Sequence, residues 1–238
     1  ELLNEKYKTI SQDFQDNTNS LIQTKKNATL AIALTLAEDE RIKNILLNNE
    51  SGDYNLDKLS QKMREYTNFK NVWFHIINKD GFSVYRSWTN NKNDKIENFR
   101  LDLQELLKNP SLKSSISVGI YDITFKSMIP LYKNDKFIGI LESITHFNSI
   151  TKELTDSHGV EPIILVNSIF TKQLENNGFT KIFLQNHYIA NLSVSKKILD
   201  YLEHKEIDDF LGIKNHIIKD EKLIINVPII ENGIKLAN

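Results

Sequence analysis

The residue types best suited to binding a small anion lie close together in one stretch of the chain. In the run VWFHIINKDGFSVYRSWT, which begins at Val72, one residue separates Arg86 from Trp88. Side chains alternate between the faces of a β-strand, so Arg86 and Trp88 share a face if this run is extended. Arginine presents a planar fork that binds a carboxylate through two hydrogen bonds, and indole adds an N–H donor on an apolar wall. We therefore expect Arg86 to be the principal anion anchor, with Trp88 beside it.

A second group of candidates lies in the later run SVGIYDITFKSMIPLY, which begins at Ser117. The same alternation places Asp122 and Lys126 on one strand face, among apolar neighbours where an unpaired charge is costly. Tyr121 faces the opposite way, so only one of Tyr121 and Asp122 reaches a shared pocket unless a β-bulge intervenes. We expect these three residues to contribute to the same ligand site as Arg86.

Each candidate also has a structural alternative. Arg86 could form a salt bridge with Asp122, and Trp88 could simply be part of the core. Lys126 could point to solvent or lie along the sheet. His75 lies on a predicted strand and is expected to be a hydrogen-bonded core histidine rather than a metal ligand, and it is included among the possible ligand contacts.

Composition and missing motifs exclude several classes of function. The net charge of −1, from 30 basic and 31 acidic residues, argues against binding to nucleic acid. The chain has no cysteine, which excludes disulfides, thiolate zinc sites and a cysteine nucleophile. Glycine-rich nucleotide loops, Gly-x-Ser-x-Gly and His-Glu-x-x-His are also missing from the sequence. We therefore expect no catalytic activity, no metal and no cofactor.

The first 48 residues contain neither glycine nor proline, and apolar residues recur at a spacing of three to four. This pattern predicts one long helix over residues 1–48, ended by the polar residues at 49–53. Such a helix is longer than a small domain. It packs against its own sheets throughout, or part of it forms a homodimer seam. The longest apolar run, residues 28–37, is about half the roughly 20 residues that a membrane helix needs.

The rest of the chain predicts an α+β fold with two antiparallel sheets. A hairpin turning at Asp80-Gly81, a helix in FRLDLQELLKNP and a second hairpin turning at KNDK account for residues 71–147. After a change of pattern near residue 150, a shorter series of strands, one helix and a final hairpin follows. We predict two subdomains, at 49–150 and 151–238, and no comparable ligand site in the second.

This order of elements resembles the double Cache sensor domains of bacterial transmembrane receptors. The resemblance is strongest in VWFHIINKDGFSVYRSWT and SVGIYDITFKSMIPLYKNDKFIGILESITHF. It implies two PAS-like sheets, one distal and one proximal to the membrane, in the periplasm between two membrane helices absent here. Amino-acid-binding members of the family use an Arg-x-Trp pair for the ligand carboxylate and an acidic residue for its ammonium group. Arg86-Ser87-Trp88 matches the pair, and Asp122 is the candidate acidic residue.

The sequence therefore predicts the extracytoplasmic sensor domain of a receptor of the histidine kinase, chemoreceptor or diguanylate cyclase type. Its expected partner is a small carboxylate, either an amino acid or an organic acid, bound in the distal subdomain. The alternative function is a structural or dimerising module that signals through a protein partner without a small-molecule ligand.

Overall fold

The computed structural model describes residues 2–48, 55–96 and 100–238. The chain forms two compact units. The sheet unit comprises Lys26–Ile116 and Thr124–His146, and the terminal unit comprises Glu1–Lys25, Ser117–Ile123 and Phe147–Asn238. The subdomain limits that the sequence predicts, 49–150 and 151–238, stay a prediction.

The N-terminal helical region is divided in two. Helix α1 spans Leu2–Ala37 and helix α2 spans Glu40–Asn48. The prediction of one helix to Asn48 is therefore wrong in its continuity, because Asp39 begins a new helix. The Asp39 carboxylate accepts a hydrogen bond of 2.9 Å from the Arg41 backbone N–H, as an N-terminal cap does. The predicted end of the helix at 49–53 lies outside the described residues, as does Phe99 of the predicted helix FRLDLQELLKNP.

The sheet unit is built on a five-stranded sheet whose order is β2-β1-β5-β4-β3. The strands are β1 (Val72–Asn78), β2 (Ser83–Arg86), β3 (Lys113–Val118), β4 (Ile123–Lys133) and β5 (Lys136–His146). Both predicted hairpins are present, since β1 pairs antiparallel with β2 and β4 with β5. β5 is the central strand and is buried from Gly139 to its end, in keeping with its almost continuous apolar run.

The two faces of this sheet are covered differently. One face packs against the end of α1, against α2 and against α3 (Leu56–Tyr66), whose first turn is capped by Asn55. This core includes Ala33, Leu36, Ile42, Ile45, Leu56, Phe74, Ile76, Ile129 and Leu141. The other face packs in part against α4 (Leu101–Lys108), through Ile77, Leu103, Leu106, Met128 and Ile140. The rest of that second face carries charged and aromatic residues, and it is called the polar face below.

The terminal unit has smaller elements. Its helices are α5 (Asn148–His158), α6 (Thr171–Leu174), α7 (Lys196–Glu203) and α8 (Ile207–Leu211). Its strands are β6 (Phe183–Leu184), β7 (His187–Tyr188), β8 (His216–Lys219), β9 (Lys222–Ile225), β10 (Ile229–Glu231) and β11 (Ile234–Ala237). These strands form three two-stranded antiparallel sheets, where the sequence predicts one second sheet. Across the described residues, none of the helices has both the length and the apolar character needed to span a membrane.

Candidate ligand site on the five-stranded sheet

A buried carboxylate, Glu142, lies at the centre of the polar face. It is on the central strand β5 and is fully buried. The Arg100 guanidinium donates to both of its oxygens, with Nη2 2.7 Å from Oε1 and Nη1 3.0 Å from Oε2. Burial alone would raise the pKa of Glu142, but the charges of Arg100 and Lys126 and hydrogen bonds from His75 and Arg100 lower it well below its usual value. Glu142 is therefore an anion in the folded protein.

Arg100 joins the beginning of α4 to this carboxylate. Besides Glu142, its guanidinium binds Asp102, with Nη2 2.6 Å from Oδ2 and Nε 3.1 Å from Oδ1. Burial would lower the pKa of Arg100, but the charge of Glu142 and the hydrogen bonds to Asp102 and Glu142 raise it. The guanidinium thus bridges two carboxylates and ties α4 to the sheet.

His75 completes the shell around Glu142. Its Nδ1 lies 3.1 Å from Glu142 Oε2, and its Nε2 lies 2.9 Å from the Ser83 hydroxyl oxygen. Burial lowers the pKa of His75, and the hydrogen bond to Glu142 only partly opposes this. The ring is therefore neutral at pH 7, with Nδ1–H donating to Glu142 and Nε2 accepting from Ser83.

The order Ser83–His75–Glu142 is that of a hydrolase triad, but the burial of the serine argues against catalysis. Ser83 is 0% exposed, so no substrate carbonyl reaches its hydroxyl, and the carboxylate is already bound by Arg100. His75 has the role of a hydrogen-bonded core histidine. Within the described ranges, no group of three or more acidic, histidine or cysteine side chains is arranged to hold a metal ion.

Lys126 presents an ammonium group with unused hydrogen-bonding capacity. Its Nζ is 3.8 Å from Asp102 Oδ2 and 3.9 Å from Glu142 Oε1, distances beyond the hydrogen-bond range. Its side chain is only 11% exposed, and among the described residues it makes no hydrogen bond. Burial lowers the pKa of Lys126, and the nearby charge of Arg100 lowers it further. A buried ammonium without acceptors is expensive, so this group is suited to receive an acceptor from a ligand.

Two stacked tryptophans lie on the β1 side of the polar face, away from Lys126 on β4. The Trp73 and Trp88 rings lie 4.9 Å apart with an interplanar angle of 19°. The rings of His75 and Trp88 form a T-shaped pair with centroids 5.5 Å apart, and those of His146 and Trp73 form another with centroids 4.5 Å apart. Trp88 is therefore next to His75, and a ligand-binding role for the two residues stays a prediction.

The strand register places Lys126 on one side of Ile144 and the aromatic wall formed by Trp73 and Trp88 on the other. Ile144 of β5 pairs with Trp73 of β1 on one side and with Lys126 of β4 on the other. Residues directly paired in antiparallel strands point to the same face. Neighbouring strands are about 4.8 Å apart, so the Trp73 and Lys126 backbones are separated by roughly 10 Å. The arrangement has an apolar floor, an aromatic wall and an ammonium group.

The guanidinium of Arg86 is paired with an internal carboxylate. Its two terminal nitrogens each lie 2.7 Å from an oxygen of Asp94, and Nη1 also donates to the Asn91 carbonyl at 2.9 Å. The fork expected to bind a ligand is therefore filled by an internal carboxylate. The partner is Asp94, where the structural alternative predicts Asp122. Arg86 instead holds the segment that follows Trp88.

Asp122 and Tyr121 belong to the terminal unit. Asp122 is 1% exposed and accepts a hydrogen bond of 2.8 Å from the Ile123 backbone N–H. The carbonyl of Tyr121 accepts from the Phe179 N–H at 2.8 Å and from the Tyr188 hydroxyl at 3.3 Å. Burial raises the pKa of Tyr188, and the charge of Asp122 adds to the effect. A ligand-binding role for Asp122 and Tyr121 stays a prediction.

Sequence reasoning missed Trp73, Arg100, Asp94 and Glu142. Two of them carry a signal that could have been used. Glu142 interrupts the apolar run FIGILESITHF, and Trp73 shares the strand face of His75 by simple alternation. Arg100 and Asp94 lie in polar segments where no pattern distinguishes them from ordinary surface charges.

Residues 7–194 match the family dCache_3, described as the double sensory domain of two-component sensor kinases. The chain belongs to this family. The resemblance to double Cache domains is thereby confirmed, and double Cache domains are extracytoplasmic sensor domains of membrane receptors. A comparison with curated protein sequences finds no match.

Solved sensor domains share the fold of this double Cache domain. The sensor domain of the V. cholerae histidine kinase DctB is 12% identical, with a TM-score of 0.51 over 68% of this chain and 64% of its own. The ligand-binding domain of the Campylobacter jejuni chemoreceptor Tlp3, solved in complex with L-valine, is 14% identical, with a TM-score of 0.52 over 93% and 87%. The extracellular domain of the putative histidine kinase vpHK1S-Z8 is 12% identical, with a TM-score of 0.53 over 84% and 83%. At these identities the likeness establishes the fold alone.

The terminal unit contains an open depression of about 390 Å³. It is lined by Ile182, Phe183, Leu184, Gln185, Lys196, Leu199, Asp200 and Glu203. Its charged side chains are exposed to solvent, so it offers no buried polar group comparable to Lys126. The polar face of the sheet unit is therefore the better candidate on chemical grounds. That residues 151–238 lack a comparable ligand site stays a prediction.

Proposed function

We propose that this double Cache domain is the periplasmic ligand-binding part of a transmembrane receptor, and that it binds a small carboxylate on the polar face between Trp73 and Lys126. The observation that carries the proposal is the buried Lys126 ammonium, which lies 3.8 and 3.9 Å from its nearest acidic oxygens. A ligand carboxylate would supply the acceptors that this ammonium lacks.

The charges around Lys126 support an added anion better than an added cation. Arg100 and Lys126 balance Glu142 and Asp102, and both carboxylates are already bound by the Arg100 guanidinium. Among the described residues, the charged group of this cluster that makes no hydrogen bond is thus a donor, Lys126. Trp73 and Ile144 would receive the apolar part of the ligand, because both lie on the face of Lys126, Ile144 beside it and Trp73 one strand further away.

Arg86 would act as a positioning residue in this function. By binding the Asn91 carbonyl and Asp94, it fixes the segment from Ser87 to Asp94, which carries Trp88. A ligand seated against Trp88 would favour one position of this segment. It changes the signalling state only if it binds the two states with different affinity. Membrane helices flanking the domain and a homodimer through α1 are further parts of the proposal.

A second candidate function is a module that signals through a protein partner without a small ligand. It is favoured by the contacts of Arg86 with Asp94 and of Trp88 with Trp73, because both side chains already have partners within the domain. The two functions differ in one measurable property, the binding of small carboxylates by the isolated domain.

The experiment is a binding screen with an internal reporter. Both tryptophans of the chain lie at this site, so intrinsic fluorescence reports occupancy directly. A carboxylate that binds is then titrated by calorimetry into Lys126→Met. A hydrogen bond to a charged group contributes about 1.5–3 kcal/mol, so affinity should fall by roughly 10- to 150-fold.

The matched control is Lys136→Met, which removes an exposed lysine at the start of the neighbouring strand β5. It should bind like the wild type. If Lys126→Met remains folded and binds within about threefold of wild type, Lys126 is not the anchor. If no carboxylate binds the wild-type domain, the second candidate function becomes the better one.

A further inference from the structure

The polar face offers a cation to a ligand but no free carboxylate. The acidic side chains that pair with the basic groups of this face are Glu142, Asp102 and Asp94. The two oxygens of Asp94 are both held by Arg86 at 2.7 Å. An ammonium group on a ligand would therefore have to be bound by Glu142 or Asp102.

Most of the acceptor capacity of those two carboxylates is already used. Glu142 Oε2 accepts from Arg100 and His75, and Asp102 Oδ1 accepts from the Arg100 Nε–H and the Leu103 backbone N–H. A carboxylate oxygen accepts about two hydrogen bonds, so these two oxygens are filled. Glu142 Oε1 and Asp102 Oδ2 each accept one bond from Arg100 and keep one acceptor site.

The remaining sites are beside Lys126. Glu142 Oε1 and Asp102 Oδ2 are the same oxygens that lie 3.9 and 3.8 Å from the Lys126 ammonium. A ligand ammonium bound there would be in contact distance of a second, buried ammonium. Like charges in a poorly solvated site disfavour each other strongly. The face is therefore selective against a ligand amine.

We infer that the ligand of this site is a carboxylate without an α-ammonium group, such as a simple, 2-hydroxy or 2-oxo acid with an apolar body. This inference rests on the proposed function and specifies its ligand class. Trp73 and Ile144 provide the apolar surface, and Lys126 provides the charge. A zwitterionic amino acid has the same carboxylate but adds the charge that this face does not accommodate.

The test uses matched sets of compounds that differ only at the amine. A first set is 4-methylpentanoate, 2-oxo-4-methylpentanoate, L-leucine and 3-methylbutylamine, and a second set has the 3-phenylpropanoate skeleton with the same changes. Acetate and propanoate beside glycine and alanine extend the series to small ligands. Binding to the folded domain is followed by tryptophan fluorescence and confirmed by calorimetry.

We expect the acid without the amine to bind at least about tenfold more tightly than its α-amino counterpart, and the amine alone not to bind. Lys126→Met should abolish this preference, because it removes both the anchor and the repelling charge. An amino acid that binds as tightly as its amine-free acid, or more tightly, overturns the inference while the proposed function stands. If neither acid nor amino acid of any set binds, the proposed function fails and the inference fails with it.

Discussion

Arg100 gives the most direct test of the charge cluster on the polar face. Arg100→Met keeps much of the side-chain volume and removes the guanidinium. Four hydrogen bonds to carboxylates are lost, two to Glu142 at 2.7 and 3.0 Å and two to Asp102 at 2.6 and 3.1 Å. Glu142, which is fully buried, would keep only neutral His75 at 3.1 Å and Lys126 at 3.9 Å.

The expected cost is large because a buried charge is left without its main partner. Removing one member of a buried ion pair typically destabilises a protein by about 3–5 kcal/mol. For a chain of this length, each kcal/mol lowers the melting temperature by about 2–4 °C, so we expect a decrease of roughly 6–20 °C. A matched control is Arg41→Met, which removes an exposed arginine paired with Asp39 and should change stability by less than about 0.5 kcal/mol.

A second substitution should rescue Arg100→Met. Glu142→Gln removes the charge that Arg100→Met leaves unpaired, so the double variant should be more stable than Arg100→Met alone. Denaturant unfolding of the four proteins in this cycle measures the coupling. The explanation is wrong if Arg100→Met costs less than about 1 kcal/mol, or if Glu142→Gln makes it less stable still.

The pH dependence provides a second readout of the same cluster. In the wild type, the folded pKa of Glu142 is below the usual value of 4.5, so its contribution to stability is present above that value and is lost as the pH falls through the folded pKa. In Arg100→Met, the charge and hydrogen bonds that oppose the effect of burial on Glu142 are mostly gone, so the pKa of Glu142 should rise above 4.5. As the pH falls, Glu142 is therefore protonated in the variant before it is protonated in the wild type, which removes the cost of the unpaired buried charge. The stability difference between the two proteins should therefore narrow as the pH falls from neutral towards 4.5, and a constant difference would contradict the assignment.

Two further predictions concern binding. Asp94→Asn frees the guanidinium of Arg86, so it should strengthen carboxylate binding if Arg86 is the anchor. Because we assign Arg86 to positioning, we instead expect Asp94→Asn and Arg86→Ala to weaken carboxylate binding to a similar extent, as measured by calorimetry. A large loss in Arg86→Ala together with a gain in Asp94→Asn would restore the original expectation for Arg86. The second prediction concerns pH. Burial lowers the pKa of Lys126, and a bound carboxylate should raise it again. Carboxylate affinity should therefore fall as the pH rises through the pKa of Lys126 in the ligand-free domain, and binding near that pH should be accompanied by proton uptake. Affinity that is unchanged in alkaline solution, where Lys126→Met serves as the control, would argue against Lys126 as the charged anchor.

Features that depend on neighbours in the chain could be predicted from the sequence alone. Both hairpins of the five-stranded sheet follow from turn residues between apolar runs, and the family follows from the order of these elements. The place of Trp88 beside His75 does not follow from strand alternation, because β2 ends at Arg86 and Trp88 lies in the turn after it. The break at Asp39 was missed because helical apolar spacing continues across it, and a capping side chain interrupts a helix without a change of pattern.

Which charges pair was decided only by the tertiary structure. Arg86 had several carboxylates within reach as far as the sequence shows, and the return of the chain after Trp88 selected Asp94. Glu142 and Arg100 are 42 residues apart, and they meet because α4 packs on the same side of the sheet as Glu142. The chemistry of Lys126 has the same origin. Its ammonium is left without a hydrogen bond because Arg100 is the closer partner of both Asp102 and Glu142, and no local pattern encodes that competition.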